Sequence, residues 1–382
     1  MDISIDTLLK ATIAKGSSDL HVKVGSSPMI RMHGVVVPLD PFPKLSQQDT
    51  LALAFSMMST AQQERFKAHG ELDMAYSSPG LGRFRVNVFR QRGTVALVLR
   101  VVPATILSMQ SLLLPPVIEK LALEQRGMII VTGTTNSGKS TTLASMVDYI
   151  NQNRNVHIVT IEDPIEFLHR DKKGLVNQRE IGQDTESFSV ALRSALRQDP
   201  DVILVGEMRD YETMSTALQA AETGHLVMST LHTLDAVETI NRMISIFPPY
   251  QSQSVRLQMA AVIKGIVSMR LVPRMDKKGR VPAVEVMIAT QTIREAIIEA
   301  DRTRRIHDLI AAGTSQYGMQ TFDQSLYEHL KGRRIAYEEA LRWSSNPDDF
   351  ALRVRGIQST SESWEANQQP EEAGAAIPIE RF

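Results

Sequence analysis

Residues 128–142, Met-Ile-Ile-Val-Thr-Gly-Thr-Thr-Asn-Ser-Gly-Lys-Ser-Thr-Thr, combine residue types that together can hold a polyphosphate. The apolar run Met128 to Val131 opens into Gly133-x-x-x-x-Gly138-Lys139-Ser140, the spacing of a phosphate-binding (Walker A) loop. Glycines let the backbone curl until successive N–H groups converge on phosphate oxygens, and the helix that follows turns its positive end to the same point. Gly133, Thr134, Thr135, Asn136, Ser137, Gly138, Lys139, Ser140 and Thr141 are therefore the candidate nucleotide cradle. Lys139 can reach the β- and γ-phosphates as a point charge, and the Ser140 hydroxyl can take a place on Mg²⁺, so ATP and Mg²⁺ are the expected cofactors. Asn136 stands where such loops usually carry glycine, and Asn also accepts left-handed backbone. A glycine turn beside an exposed lysine is the plain alternative, which strand-like context before the loop and helix-like context after it disfavour.

Four further constellations bear on a triphosphate. In Thr160-Ile161-Glu162-Asp163-Pro164-Ile165-Glu166 a proline ends a strand and carboxylates cluster on the turn beyond it. A carboxylate there, Glu162 above all, can hold metal-bound water or orient an attacking water; a solvated acidic turn explains the segment equally well by itself. In Asp199-Pro200-Asp201-Val202-Ile203-Leu204-Val205-Gly206-Glu207 an apolar run ends in an acid, like the second-strand metal motif of phosphate-loop proteins. Gly206 occupies the usual Asp position, so Glu207 suits polarising the attacking water better than bridging magnesium. Apolar strands ending in Glu are common in structural proteins, and the pairing with the loop carries this assignment. In Thr223 to Thr233 a strand is flanked by His225 and His232. A neutral His232 imidazole can sense the γ-phosphate through water and couple hydrolysis to motion, whereas His225 reads as a structural histidine. His-x₆-His is not a metal-ligand spacing, and no zinc is expected. The fourth is Gly82-Arg83-Phe84-Arg85-Val86-Asn87-Val88-Phe89-Arg90-Gln91-Arg92, with Arg100 beyond it. Alternation puts Arg83 and Arg85 on one strand face and Phe84, Val86 and Val88 on the other, while Phe84 and Phe89 read as core. Arginines beside no evident acid can meet a neighbouring subunit's nucleotide as arginine fingers. A charged strand face is the alternative.

These residues need elements to position them. The 382-residue chain is 43% apolar and 22% charged with a formal net charge of −1, an ordinary globular composition with no global pull toward nucleic acid. It contains no cysteine, which excludes disulfides and thiolate zinc sites. The N-terminus carries no signal-peptide pattern, and the apolar segment Met259 to Val272 is interrupted by Lys264 and Arg270 and too short to span a bilayer. A cytoplasmic protein is the expectation. Residues 1–103 read as a small α/β domain. It would hold a helix at Leu8–Ala14, strands at Leu20–Val24, Phe84–Phe89 and Val95–Val101, and a hairpin over Met29–Val37 about His33-Gly34. A helix pair over Asp49–Lys67, broken near Ser59-Thr60, completes it. Residues 104–116 read as a linker bounded by prolines. From 117 to 281 strands alternate with helices, predicting a parallel sheet with core strands Met128–Val131, His157–Ile161, Val202–Val205 and Leu226–Ser229. Residues 282–355 read as helical, and 356–382 as a disordered tail.

The motifs, in this order, resemble those of the secretion ATPases of type II secretion and type IV pili, most closely the pilus retraction ATPase (PilT/PilU) family. Gly16-Ser17-Ser18-Asp19-Leu20-His21 looks like the first-domain signature of that family, Gly82 to Asn87 like its arginine strand, and Gly318-Met319-Gln320-Thr321-Phe322-Asp323-Gln324 like its C-terminal helical signature. The Asp box falls at Thr160–Glu166, the Walker B at Asp199–Glu207 and the His box at Thr223–His232. The resemblance implies a small α+β PAS-like domain, a RecA-like P-loop ATPase core in α/β class, and a helical C-terminal region. It further implies a homo-hexamer with nucleotide between subunits, acting as a twitching-motility motor at the cytoplasmic face of the inner membrane. The implied partners are an inner-membrane platform protein of the pilus and a paralogous pilus ATPase. By position, Glu207 matches the family's catalytic glutamate, Glu162 the Asp-box acid and His232 the His-box residue. Arg83 and Arg100 match arginines that reach a neighbour's nucleotide. Lack of cysteine sets the chain apart from assembly ATPases with their tetracysteine zinc element. Thr290 to Glu299 matches the retraction signature only in its Ile293-Arg294 pair. An accessory, non-motor ring subunit is therefore the alternative function; a DNA translocase lacks the basic aromatic platform it would need.

Overall fold

The computed structural model describes residues 3–356 apart from 33 and 104, and its chain divides into two compact units. One is Met1–Thr105 with Pro164–Leu168, the other Ile106–Asp163 with His169–Phe382. The tail expected over 356–382 lies, from residue 357 onward, outside the described residues, as does His33 of the expected hairpin turn.

The first unit is built from α1 (Ile5–Ala14), β1 (Asp19–Lys23), β2 (Met29–Met32), β3 (Val35–Pro38), α2 (Gln47–Ser56), α3 (Thr60–His69), β4 (Glu71–Ser78), β5 (Gly82–Gln91) and β6 (Thr94–Val101). Its strands form an antiparallel sheet in the order β3-β2-β1-β6-β5-β4. The helix pair breaks at Ser59 because its hydroxyl accepts the Gln62 N–H while the Gln62 side chain accepts the Ser59 N–H, a reciprocal cap that starts a new helix. Along β5, Phe84, Val86 and Val88 enter the core with Leu8, Leu97 and Leu99. Phe89 does not join them: five residues from Phe84, it falls on the opposite face with Arg83 and Arg85. β4 was not anticipated, because Glu71 and Asp73 on its exposed face dilute the apolar pattern of Leu72 and Met74.

The second unit opens with α4 (Val117–Ala122), β7 (Gly127–Thr132), α5 (Lys139–Asn153), β8 (His157–Glu162), β9 (Leu175–Glu180) and α6 (Phe188–Ala195). It continues through β10 (Val202–Val205), α7 (Tyr211–Glu222), β11 (Leu226–Leu231), α8 (Ala236–Ser245), α9 (Ser252–Val262), β12 (Ile263–Pro273) and β13 (Arg280–Ile288). The sheet order is β13-β12-β7-β11-β10-β8-β9, parallel throughout except for the antiparallel β12–β13 pair. Every residue of β7, β10 and β11 is buried, as a parallel sheet covered on both faces demands. Ile129 and Val131 pack on one face with Leu143, Met146 and Val147 of α5. Met128 and Ile130 pack on the other with Met214 and Leu218 of α7, Ile240 of α8 and Met259 of α9. The anticipated core strands are β7, β8, β10 and β11. The expected helical start at Pro282 is corrected: Pro282 lies within β13, and the following helices begin at Gln291. A strand buried on both faces shows no alternation to read, and proline is tolerated there because β13 is the edge of the sheet. The apolar stretch Met259–Val272 divides between α9 and β12.

The helices α10 (Gln291–Ile298), α11 (Ile306–Ala312), α12 (Thr314–Tyr317), α13 (Phe322–Lys331), α14 (Tyr337–Trp343) and α15 (Pro347–Val354) follow. Several close a small apolar cluster of Phe322, Leu326, Ala340 and Phe350 against Val272 and Val281 of the β12–β13 hairpin. Among the described residues no helix is long and apolar enough to cross a membrane. Phe84 is fully buried, so Phe84→Ala is expected to destabilise the first unit by about 3–5 kcal/mol, read as a lower denaturant midpoint. An unchanged midpoint would contradict the inward placement of that strand face.

Candidate nucleotide site

β7 delivers the chain into the Gly133–Thr141 loop, and α5 begins at Lys139. The loop curls through residues with positive φ: Gly133 at 142°, Asn136 at 63° and Gly138 at 99°. Asn136 thus sits in the left-handed conformation anticipated for it. A Cβ at Gly133 would lie 2.5 Å from both the Met269 carbonyl oxygen and Ser137 Oγ, so only glycine fits where the loop presses on β12. Lys139 Nζ donates to the Gly133 and Thr134 carbonyls at 2.7 and 2.8 Å, which ties the lysine across the loop it follows. Ser140 is in the first turn of α5, with the helix N-terminus behind it.

Sheet order sets the rest. β11 lies beside β7, β10 beside β11 and β8 beside β10, all pointing the same way, so their C-terminal ends line one edge. Glu162 ends β8, Glu207 follows β10 by two residues, and His232 follows β11 by one. The ends are pinned: Ser229 Oγ donates to the Val205 carbonyl at 2.7 Å and Thr230 Oγ1 to the Gly206 carbonyl at 2.6 Å. Gly206 in turn donates its N–H to the Ile161 carbonyl at 2.8 Å, and a Cβ there would meet that oxygen at 3.2 Å and Glu162 Cα at 3.5 Å. This close approach accounts for glycine where the usual motif carries Asp. Beyond it, His232 Nε2 stands 3.7 Å from Glu207 Oε2, and Arg209 forms a 2.7 Å ion pair with the same oxygen. Glu207 Oε1 takes part in neither contact. Such a carboxylate, oriented on one oxygen, can accept a proton from water on the other.

Glu162 Oε1 accepts from Thr160 Oγ1 at 2.6 Å and from Gln178 Nε2 at 3.1 Å. Gln178 lies on β9 opposite Thr160 and accepts the His169 N–H at 2.8 Å. Burial pushes the His169 imidazole down to about 4, outweighing Asp148 and leaving it neutral near pH 7. Sequence reading missed Gln178 because it missed its strand. Arg209 had no role in the sequence reading; its position two residues beyond Glu207 was the available signal. Of the three Asp-box carboxylates, Glu162 and Asp163 belong to the second unit and Glu166 to the segment grouped with the first. His225 is structural in its contacts, its Nδ1 2.9 Å from the Ala220 carbonyl.

Arg83 and Arg100 lie on β5 and β6 of the first unit, and Arg85 is directly opposite Arg100. The expectation that this face has no acidic partner is corrected. Register places Asp19 of β1 opposite Arg100, and Arg100 Nε donates to Asp19 Oδ1 at 2.8 Å. Eighty-one residues separate the two in sequence, so no local pattern shows the pair. Burial pushes the Asp19 carboxyl up, but hydrogen bonds from Ser18 and Arg100 and the guanidinium charge outweigh it, leaving it below its ordinary value. The ion pair offsets the like charges of Arg85 and Arg100 across the ladder.

A glycine-bent loop at a strand–helix junction, with an oriented glutamate beyond a neighbouring parallel strand, defines a P-loop nucleotide-binding protein of α/β class. The match to the family model of the Type II/IV secretion system protein runs over residues 2–346, and the chain belongs to that family. It is 44% identical over 348 residues to the type IV pilus retraction ATPase PilT of Pseudomonas aeruginosa, covering 91% of this chain and all of that one. It is 40% identical over 355 residues to the type IV pilus ATPase PilU of the same organism, covering 92% of each. A crystal structure of the pilus retraction motor PilT with bound ADP superposes with a TM-score of 0.85 at 46% identity, covering 91% of this chain and 98% of that one. The second unit thus holds a RecA-like P-loop core and, after it, a helical region, and the first is a small α+β PAS-like unit. Gly133→Ala is expected to lower nucleotide affinity about tenfold or more while helix content stays unchanged, measured with a fluorescent ADP analogue. Undiminished affinity would mean the loop does not need its observed curl.

Proposed function

We propose that this chain is an ATP-hydrolysing motor that drives type IV pilus retraction, and hence twitching motility. The observation that carries the reading is the alignment of the phosphate loop, His232 and Glu207 at the ends of three adjacent parallel strands. Relatives that are pilus retraction motors, matched over nearly the whole chain, support it.

In this reading Gly133–Thr141 wraps the phosphates, with Lys139 turning from the loop carbonyls to the β- and γ-phosphates. The loop's curl and the position of Ser140 fit a magnesium nucleotide; the ion would be held by Ser140 and would neutralise developing charge on the phosphate oxygens. Glu207 takes a proton from the attacking water, oriented by Arg209. Glu162, fixed by Thr160 and Gln178, orients water at the neighbouring strand end, and His232 reports the γ-phosphate to the rest of the chain. Arg83 and Arg100 act on the nucleotide of an adjoining subunit within a homo-hexamer, which requires Arg100 to leave Asp19 or to share its charge with it. The working parts are residues 1–103 as the PAS-like domain, 104–116 as linker, 117–281 together with the remainder of β13 as the ATPase domain, and the helices from Gln291 to residue 355 as the helical subdomain. The ring acts at the cytoplasmic face of the inner membrane, against a platform protein of the pilus and beside a paralogous pilus ATPase.

Glu207→Ala is expected to keep nucleotide binding and lose turnover by about 10²-fold or more, measured as phosphate release from the assembled protein. Retained turnover would remove Glu207 from that role. Lys139→Ala is expected to lose nucleotide binding itself. An assembled wild-type protein that binds ATP without hydrolysing it would favour an accessory ring subunit instead.

A further inference from the structure

Glu285 is a carboxyl in the middle of the otherwise apolar run 281–288 of β13. It lies on β13 between Val284 and Val286, 2% exposed. An apolar residue there would pack at lower cost, because a buried carboxyl must be desolvated and supplied with partners. Its partners are specific. Ser268 Oγ of β12 donates to Oε1 at 3.1 Å, and the backbone N–H of Ala236 donates to the same oxygen at 2.8 Å. Each partner belongs to a different part of the site. Ser268 is opposite Thr132 of β7, the residue before Gly133. Ala236 is the first residue of α8, four positions after His232.

The His232 loop is therefore held at both ends. At its start, Thr230 is bonded to the Gly206 carbonyl one residue before Glu207. At its finish, Ala236 is bonded to Glu285. Between them Thr233 Oγ1 and Thr239 Oγ1 share a hydrogen bond at 2.7 Å, and Asp235 caps the Glu238 N–H. We infer that Glu285 is a positioning residue for hydrolysis: with Ser268 it pins the far end of the His232 loop to the β12–β13 hairpin, whose β12 lies beside the phosphate-loop strand, and so keeps His232 in reach of Glu207. This rests on the reading of Glu207 and His232 given above.

The tether responds to pH. Burial raises the Glu285 carboxyl to about 7; the Ala236 N–H, His307 and Ser268 pull it down, and Asp235 pushes it up. The titratable and charged groups facing it are Asp235, which caps α8, His307 of α11 and Arg270 of β12. The folded value lies above the unfolded one of 4.5, so the neutral acid favours the closed core. That contribution is full below the unfolded value and is lost as pH rises to about 7. Ionisation therefore favours any opening of the segment that lets water reach the carboxyl.

The test compares wild type, Glu285→Leu and Glu285→Gln as assembled, nucleotide-saturated protein. Amide hydrogen exchange over residues 233–237, kcat and affinity for a fluorescent ADP analogue are measured. Leucine removes the acceptor: protection over 233–237 should fall and kcat drop about tenfold or more, with ADP affinity unchanged. Glutamine keeps an acceptor oxygen and should restore both. In wild type the protection factors should fall between about pH 4.5 and 7 and level off above that, and in Glu285→Gln they should not. A folded Glu285→Leu protein with wild-type kcat and protection overturns the inference. If that variant does not fold, a Glu285→Gln protein whose protection falls with pH as wild type does overturns it. Turnover retained in Glu207→Ala would sink the catalytic reading alone, since protection at Ala236 would still report the tether.

Discussion

The hydrogen-bonded register of four parallel strands is the constraint on which the site depends. β7, β11, β10 and β8 lie side by side, and each releases one functional segment at its C-terminal end. Neighbouring strands are about 4.8 Å apart, so the phosphate loop and the Glu207 segment, two strands away, are separated by about the length of a polyphosphate and a water. No side chain needs to travel far to act. Register rather than flexible reach sets the geometry, and a slip of one residue in β10 would turn Glu207 to the other face.

Short polar contacts then finish what the ladder begins. Ser229 and Thr230 bond the carbonyls at the end of β10, Gly206 bonds the end of β8, and Arg209 takes one oxygen of Glu207. Lys139, bonded to the carbonyls of its own loop, keeps that loop curled around the place where phosphate oxygens are expected. Preorganisation of this kind lowers the ordering cost at the moment of reaction. The first unit follows the same logic with a different sheet: antiparallel register brings Asp19 to Arg100 and balances a row of arginines.

Much of this was legible because the phosphate loop, the Glu207 segment and the His232 segment each join a short apolar run to a polar end. Such strands announce themselves, and β7, β8, β10 and β11 appeared where the apolar runs were. What stayed hidden had physical reasons. β13 is buried on both faces, so Val281 to Met287 shows no alternation, and Pro282 reads as a break although an edge strand accepts it. β9 is polar, since Asn177, Gln178 and Arg179 lie at the sheet's other edge, and with it went the donor that orients Glu162. Asp19 with Arg100, and Glu285 with Ala236, are pairings of tertiary register that no window of sequence contains.

The central claim is that the loop at Gly133–Thr141 and the Glu207 carboxylate serve one triphosphate. The direct measurement is a high-resolution structure of the assembled protein with a non-hydrolysable ATP analogue. The account predicts Glu207 within hydrogen-bond reach of a water that lies in line with the γ-phosphorus. A γ-phosphate seated on the loop with Glu207 turned away, and another residue holding that water, would contradict it.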